Sequence, residues 1–293
     1  MKQALTKLHV SVFLAGFTGV LGKLIELNEG LLVWYRIMIT VVTLFIWLSW
    51  KKKIKQVAPS TVWKLMGIGS LIAFHWVCFY ASIKLANVSI GLICFASIGL
   101  FTAILEPAMT DKKFNWAEAG LGLMSLLGIY LVFHFDTRYR TGIFLGIASS
   151  ILGALFSVLN KKNVEVAPTQ TLMLYELSGG LLVLTLLMPI YLQYFQTTYI
   201  FPTLSDWGWL LILGWGCTVI AMNLMLQSLK KVSAFTQNLT LNLEPVYGII
   251  LAFILFKENE NLQSSFYIGF ALITISVVLQ MVRVLRGNGL GIS

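Results

Sequence analysis

Apolar stretches close to twenty residues long follow one another along almost the whole chain, and several are separated by only two to six residues. At a rise of about 1.5 Å per residue, roughly 20 apolar residues in a helix cross the ~30 Å hydrocarbon core of a bilayer. Ten such segments are predicted, at 8–25, 31–50, 62–85, 88–110, 114–135, 142–160, 169–192, 207–229, 232–256 and 264–285. Links this short make consecutive helices antiparallel neighbours. Of the 293 residues only 11% are charged, whereas a soluble domain carries about a quarter. These features exclude a soluble enzyme, a disordered chain, a coiled coil and a secreted disulfide scaffold, and they leave no room for a sizeable soluble domain. The predicted fold class is an all-α membrane protein.

The formal charge of +9 sits in short runs between the apolar segments, such as Lys51-Lys52-Lys53, Lys112-Lys113, Lys161-Lys162 and Lys230-Lys231. With a cytoplasmic N-terminus, fifteen Lys and Arg fall on that side and four on the other. That bias is the charge signature of orientation, and it predicts both termini in the cytoplasm of a multi-pass cell (inner) membrane protein. Basic residues arranged this way give no surface for nucleic acid. Trp47, Trp50, Trp63, Trp116, Trp207 and Trp209 fall near segment ends, where an interfacial aromatic belt belongs. Cys78, Cys94 and Cys217 lie inside apolar stretches and read as structural thiols, so neither a metal nor a cofactor is expected. No small-residue cleavage site ends the first stretch, which is read as a retained helix.

The chain repeats itself. Phe13 to Lys23 resembles Ile151 to Lys161, Tyr35-Arg36 corresponds to Tyr175-Glu176, and Val88-Ser89 to Val232-Ser233. The period of roughly 138 to 147 residues divides the chain into halves at 1–138 and 139–286, followed by a Gly-rich tail at 287–293. Five spans per half is an odd number, so the second half enters the membrane from the opposite side. Two inverted five-helix repeats around a central cavity are an architecture of secondary transporters, with substrate held near the midplane between the halves. Channels are also built this way.

Several phrases along the chain are similar to the drug/metabolite transporter superfamily in its EamA-type branch. They are Gly16 to Lys23, Trp34-Tyr35-Arg36, Tyr80 to Ser89, and Leu243-Glu244-Pro245-Val246-Tyr247-Gly248 through Lys257-Glu258. The resemblance covers nearly the whole chain. It implies a basket of helices around a central cavity and movement of metabolites such as amino acids, often outward. Ser97-Ile98-Gly99-Leu100-Phe101 stands where the family usually has a proline, so the family's bend in helix four does not carry over by sequence.

Ionisable groups inside spans are costly and default to functional roles. Arg36, His75, Glu106, Glu176 and Glu244 are the candidates. Depth counting puts Arg36 near the outer surface and Glu176 near the cytoplasm, where each either snorkels to its interface or takes part in coupling or gating. His75 and Glu244 fall near the midplane. Each either is hydrogen-bonded inside the bundle as a structural group or lines the cavity, with Glu244 the proton carrier or cation site. Ile72, His75, Trp76, Phe79 and Tyr80 share one face of helix three, as a packing stripe or an aromatic cavity wall. Asn238 and Asn242 in helix nine, and Asn223 with Gln227 in helix eight, read as cavity amides or as glue between helices. Pro245 is the hinge candidate, and Glu106 is expected at an interface or a gate. The match of Leu105-Glu106-Pro107 to Leu243-Glu244-Pro245 is out of register with the repeat and is read as coincidence. Glycines 16, 19, 22, 142, 146, 214 and 216 are read as helix-packing positions.

A secondary transporter working by alternating access on a small-molecule substrate follows, with protons as the candidate coupling ion and amino acids, neutral or aromatic, as the candidate solutes. The alternatives are a lipid-linked flippase and a membrane-embedded enzyme. No GxxxxGK[ST], HExxH or GxSxG occurs, and every Asp lies in a loop or at a span end. His134 with Asp136 sits at a helix boundary and carries little. Sequence alone says nothing of oligomeric state.

Overall fold

The computed structural model describes residues 2–135, 137–195, 197 and 199–286. Asp136, with which His134 is paired in sequence, and the tail at 287–293 lie outside the described residues. Those residues form helices and no strands. Eight segments are long and apolar enough to cross a membrane: Gln3–Leu24, Glu29–Trp50, Pro59–Leu85, Val88–Met109, Arg140–Asn163, Thr169–Tyr194, Leu204–Leu229 and Ala234–Phe256. Two further helices, α7 (Trp116–Phe135) and α14 (Ser264–Leu285), lie against each other, and a Cβ on Gly128 would stand 2.6 Å from the Gly269 carbonyl.

Three of the crossing segments are interrupted. The first divides into α1 (Lys2–Ala15) and α2 (Thr18–Leu24), parted at Gly16, where a Cβ would come within 2.7 Å of Tyr247. The fourth divides into α5 (Val88–Phe95) and α6 (Ile98–Met109). Its bend needs no proline: the Ser97 hydroxyl donates to the Cys94 carbonyl at 2.8 Å, and Ala96 and Ser97 close short three-residue turns. Ala234–Phe256 divides into α12 (Ala234–Leu241) and α13 (Glu244–Phe256). Pro245 lies in the first turn of α13, where its missing N–H costs nothing, so it starts a helix and does not kink one. Lys257, at φ 51°, ends α13.

The intact helices α3 (Glu29–Trp50), α4 (Pro59–Leu85), α8 (Arg140–Asn163) and α9 (Thr169–Tyr194) supply the frame. Helix α4 is its centre and packs on α8 and α9. Gly69 of α4 meets the backbone at Glu176 of α9, Gly179 of α9 meets that at Met66, and Gly180 meets that at Gly69. Any side chain at these positions would push α4 and α9 apart. Between α10 (Leu204–Leu211) and α11 (Ala221–Leu229) the segment Leu204–Leu229 widens into a π-helix over Ile212–Ile220. Nothing in the hydropathy pattern announces that widening.

Candidate functional site: a central cavity

The broken segments and the π-helix converge on one cavity of about 700 Å³ of atom-free space, its mouth included. Helix α4 contributes Ile72, His75, Trp76 and Phe79; α3 contributes Arg36; α8 contributes Gly153, Phe156 and Ser157. The interrupted segments bring Ser11, Ala15 and Thr18, then Phe95 and Ile98, then Leu241 and Glu244. Cys217 comes from the π-helix, and Ala221, Met222 and Met225 from α11. The wall is mostly apolar, with a few convergent polar groups, as in other small-molecule pockets.

Arg36 does not snorkel. It is 2% exposed, although it lies only two turns inside α3. Its Nε donates to Thr218 Oγ1 at 2.8 Å, its Nη1 donates to the Tyr80 hydroxyl at 2.9 Å, and its guanidinium carbon lies 3.8 Å from the Trp76 ring centroid. The Thr218 hydroxyl gives its own proton to the Leu213 carbonyl five residues back, a bond that the π-helix makes available. Its lone pairs are thereby left for Arg36. A guanidinium has five N–H donors; the three not used by Thr218 and Tyr80 find no protein acceptor among the described residues.

Glu244 opens α13 and also lines the cavity, at 5% exposed. Its carboxylate accepts no hydrogen bond and forms no ion pair among the described residues, although it lies within the field of Arg36. A cation and an acid thus border one cavity without bonding each other.

His75 faces the same space. Its Nδ1 lies 2.8 Å from the Ser149 carbonyl and 2.9 Å from the Ser149 hydroxyl, and that hydroxyl donates to the His75 carbonyl at 3.0 Å. A carbonyl only accepts, so the ring proton belongs on Nδ1, and Nε2 remains an acceptor. The ring packs at 5.4 Å from Phe95 and 6.3 Å from Phe79. Gly153 makes room for it, since a Cβ there would stand 3.1 Å from Nδ1.

The other predicted residues fall elsewhere. Tyr80 stands behind the wall, holding Arg36, and a Cβ on Gly22 would run into its ring. Asn238 accepts from Ser157 at 2.9 Å and donates to Thr102 at 2.8 Å, tying α12 to α8 and α6. Asn242 is buried in the break between α12 and α13, with neither amide atom bonded. Asn223 is not among the residues that line this cavity; it accepts from Thr169 at 2.8 Å, and Gln227 accepts from Lys7. Glu176 is fully buried, and the Asn160 amide is the polar group that faces its carboxyl, at a geometry short of a well-formed hydrogen bond. Its helix is pressed onto Gly69, so it cannot reach an interface. Glu106 leaves its own span's surface and is buried at the start of α12.

Phe156, Ser157, Cys217 and Met225 line the cavity without a sequence signal that singles them out. The first two lie inside the repeat phrase Ile151–Lys161 and could have been weighed there; Cys217 enters only through the π-helix. Among the described residues no three His, Cys, Asp or Glu side chains gather into a metal site.

No curated protein matches the chain. Among solved structures, one crystal structure aligns over 98% of this chain and 99% of its own, with a TM-score of 0.71 at 18% identity, a likeness that shows the fold alone. The model of the EamA-like transporter family matches twice, over residues 4–134 and 140–282, and the chain therefore belongs to that family of membrane transporters.

Proposed function

We propose that this protein is a secondary active transporter that exports small zwitterionic metabolites, amino acids with apolar side chains foremost, by alternating access. In this reading ten helices cross the cell membrane as two inverted halves of five, with both termini cytoplasmic, and the substrate binds between the halves.

One observation carries the reading. Arg36 and Glu244, a cation and an acid, are buried, face the same cavity and are not bonded to each other. An uncompensated charge in a low-dielectric interior costs several kcal/mol. A solute with a carboxylate and an ammonium group supplies the missing partner to each, and the forked donors of Arg36 suit a carboxylate. The apolar remainder of the wall, Phe79, Phe95, Ile98 and Met222, takes an apolar side chain. Glu244 is also the acid best placed to exchange a proton with the solute path.

The test is counterflow in proteoliposomes. Vesicles preloaded with an unlabelled amino acid are expected to accumulate the labelled one transiently, most strongly for leucine, phenylalanine and methionine. No counterflow for any amino acid, alongside transbilayer movement of a lipid, would replace this reading with that of a flippase.

A further inference from the structure

The two broken segments that border the cavity, Val88–Met109 and Ala234–Phe256, close on each other through a reciprocal pair of contacts. Near the end of α6, Glu106 accepts from the backbone N–H groups of Ala234 at 2.8 Å and Phe235 at 3.0 Å, the first residues of α12. Just past the end of α13, Glu258 accepts from the N–H groups of Val88 at 3.1 Å and Ser89 at 2.9 Å, and from the Ser89 hydroxyl at 2.7 Å. These are the first residues of α5. Each carboxylate is buried, and each holds a lysine: Lys112 lies 3.1 Å from Glu106 and Lys23 lies 2.9 Å from Glu258.

Val88 and Glu106 stand at opposite ends of one membrane-length segment, so the two contacts lie at opposite ends of the bundle. Each contact joins the half that contains residues 4–134 to the half that contains 140–282. The helix starts are repeat-related, Val88-Ser89 with Val232-Ser233, at a separation of 144 positions, whereas the two glutamates are 152 apart. The same end-tie is thus made twice with carboxylates that the repeat does not superimpose. Such a tie is suited to being broken. Charge-assisted bonds to a helix N-terminus are strong while dry, and the freed carboxylate, lysine and N–H groups are all readily rehydrated. An apolar seam of the same extent would resist opening to water.

We propose that Glu106 and Glu258 are opposing latches, each closing one end of the cavity, and that a solute enters or leaves when one latch releases while the other holds. This rests on the alternating-access reading above.

Cys217, which lines the cavity, is a native reporter. Right-side-out and inverted membrane vesicles carrying the full chain are treated with a membrane-impermeant maleimide, and labelling of Cys217 is read by mass spectrometry. Glu258→Gln is expected to raise labelling roughly tenfold from the side on which Lys23 and Val88 lie and to lower it from the other. Glu106→Gln is expected to do the reverse. Lys23→Gln leaves the helix contact of Glu258 in place and should shift labelling in the same direction as Glu258→Gln by a smaller factor, which keeps the test open if Glu258→Gln fails to fold. Unchanged labelling in the folded variants, or an equal rise from both sides, overturns the latches. If wild-type counterflow is intact in that case, the transporter reading survives; if no solute shows counterflow, both fall.

Discussion

The Arg36 guanidinium lies 3.8 Å from the centroid of the Trp76 ring, and the Tyr80 hydroxyl, one turn further along the same helix, accepts a hydrogen bond from it. The aromatic face of α4 thus holds a cation in a fixed orientation, with part of its fork turned free. A point charge on a flexible stem cannot reproduce that arrangement. Arg36→Lys is therefore expected to weaken the apparent affinity for a zwitterionic solute by about tenfold or more, whereas Tyr80→Phe, which removes one bond that orients the guanidinium but leaves the cation in place, costs roughly two- to tenfold. The concentration dependence of counterflow gives both values. Equal affinity for Arg36→Lys and wild type would show that the fork is not used.

The crossing of α4 and α9 makes a prediction about stability. A methyl group on Gly69 would run into the Glu176 carbonyl, and backbone cannot step aside as a flexible side chain can. Gly69→Ala is expected to destabilise the fold by about 1–3 kcal/mol. Gly67, two residues earlier on the same helix, has nothing within 4 Å of such a methyl group. Gly67→Ala should be neutral or stabilising by about 0.5–1 kcal/mol, the usual gain from removing a helical glycine. Thermal unfolding of the two purified variants, compared with wild type, separates these outcomes.

Glu258 gives a pH dependence. Burial works to push its carboxyl up, but bonds from Lys23 and Ser89 outweigh burial and hold it below its ordinary value of 4.5. A carboxyl depressed in the folded state contributes stability that is fully present above its unfolded value and lost as pH falls through the folded one. The stability gap between wild type and Glu258→Gln should accordingly be constant from neutral pH down to about 4.5 and close below it. A gap that widens on acidification would contradict the assignment.

Glu176 and Asn160 are buried beside each other, and their side chains make no well-formed hydrogen bond. Removing a buried polar group whose bonds are poorly formed relieves part of a desolvation cost of about 1–3 kcal/mol. Glu176→Leu, of similar volume, should raise the thermal midpoint. Loss of counterflow in a stabilised Glu176→Leu protein would assign the side chain to the transport cycle; retained counterflow would make it structural.

Hydropathy and short links reveal most of the helices, because roughly 20 apolar residues in a row have few other ways to satisfy their backbone. The face formed by His75, Trp76 and Phe79 is equally legible, since three- and four-residue spacing fixes which side chains share a helix surface. Arg36 is misread by depth alone: its place two turns inside α3 suggests an interface, and only the fold reveals that α4 and the π-helix cover it. The break at Ala96–Ser97 is hidden because a serine hydroxyl does what a proline usually does. Asn223, Asn238 and Asn242 are visible as polar, but an amide's direction depends on neighbours that lie far away in sequence. The two end-ties escape sequence reading for a related reason, since Glu106 and Glu258 break the repeat's register.

The most direct test of the central claim pairs each cavity charge with a solute that lacks its complement. Leucine, leucinamide and N-acetyl-leucine would be compared as competitors of labelled leucine counterflow in wild type, Arg36→Gln and Glu244→Gln. In wild type, leucine is expected to compete at least about tenfold better than either analogue. Arg36→Gln should erase the advantage of leucine over leucinamide, and Glu244→Gln its advantage over N-acetyl-leucine. The claim that these two residues recognise the two charges of one solute is contradicted if all three compounds compete equally in wild type, or if neither substitution changes their order.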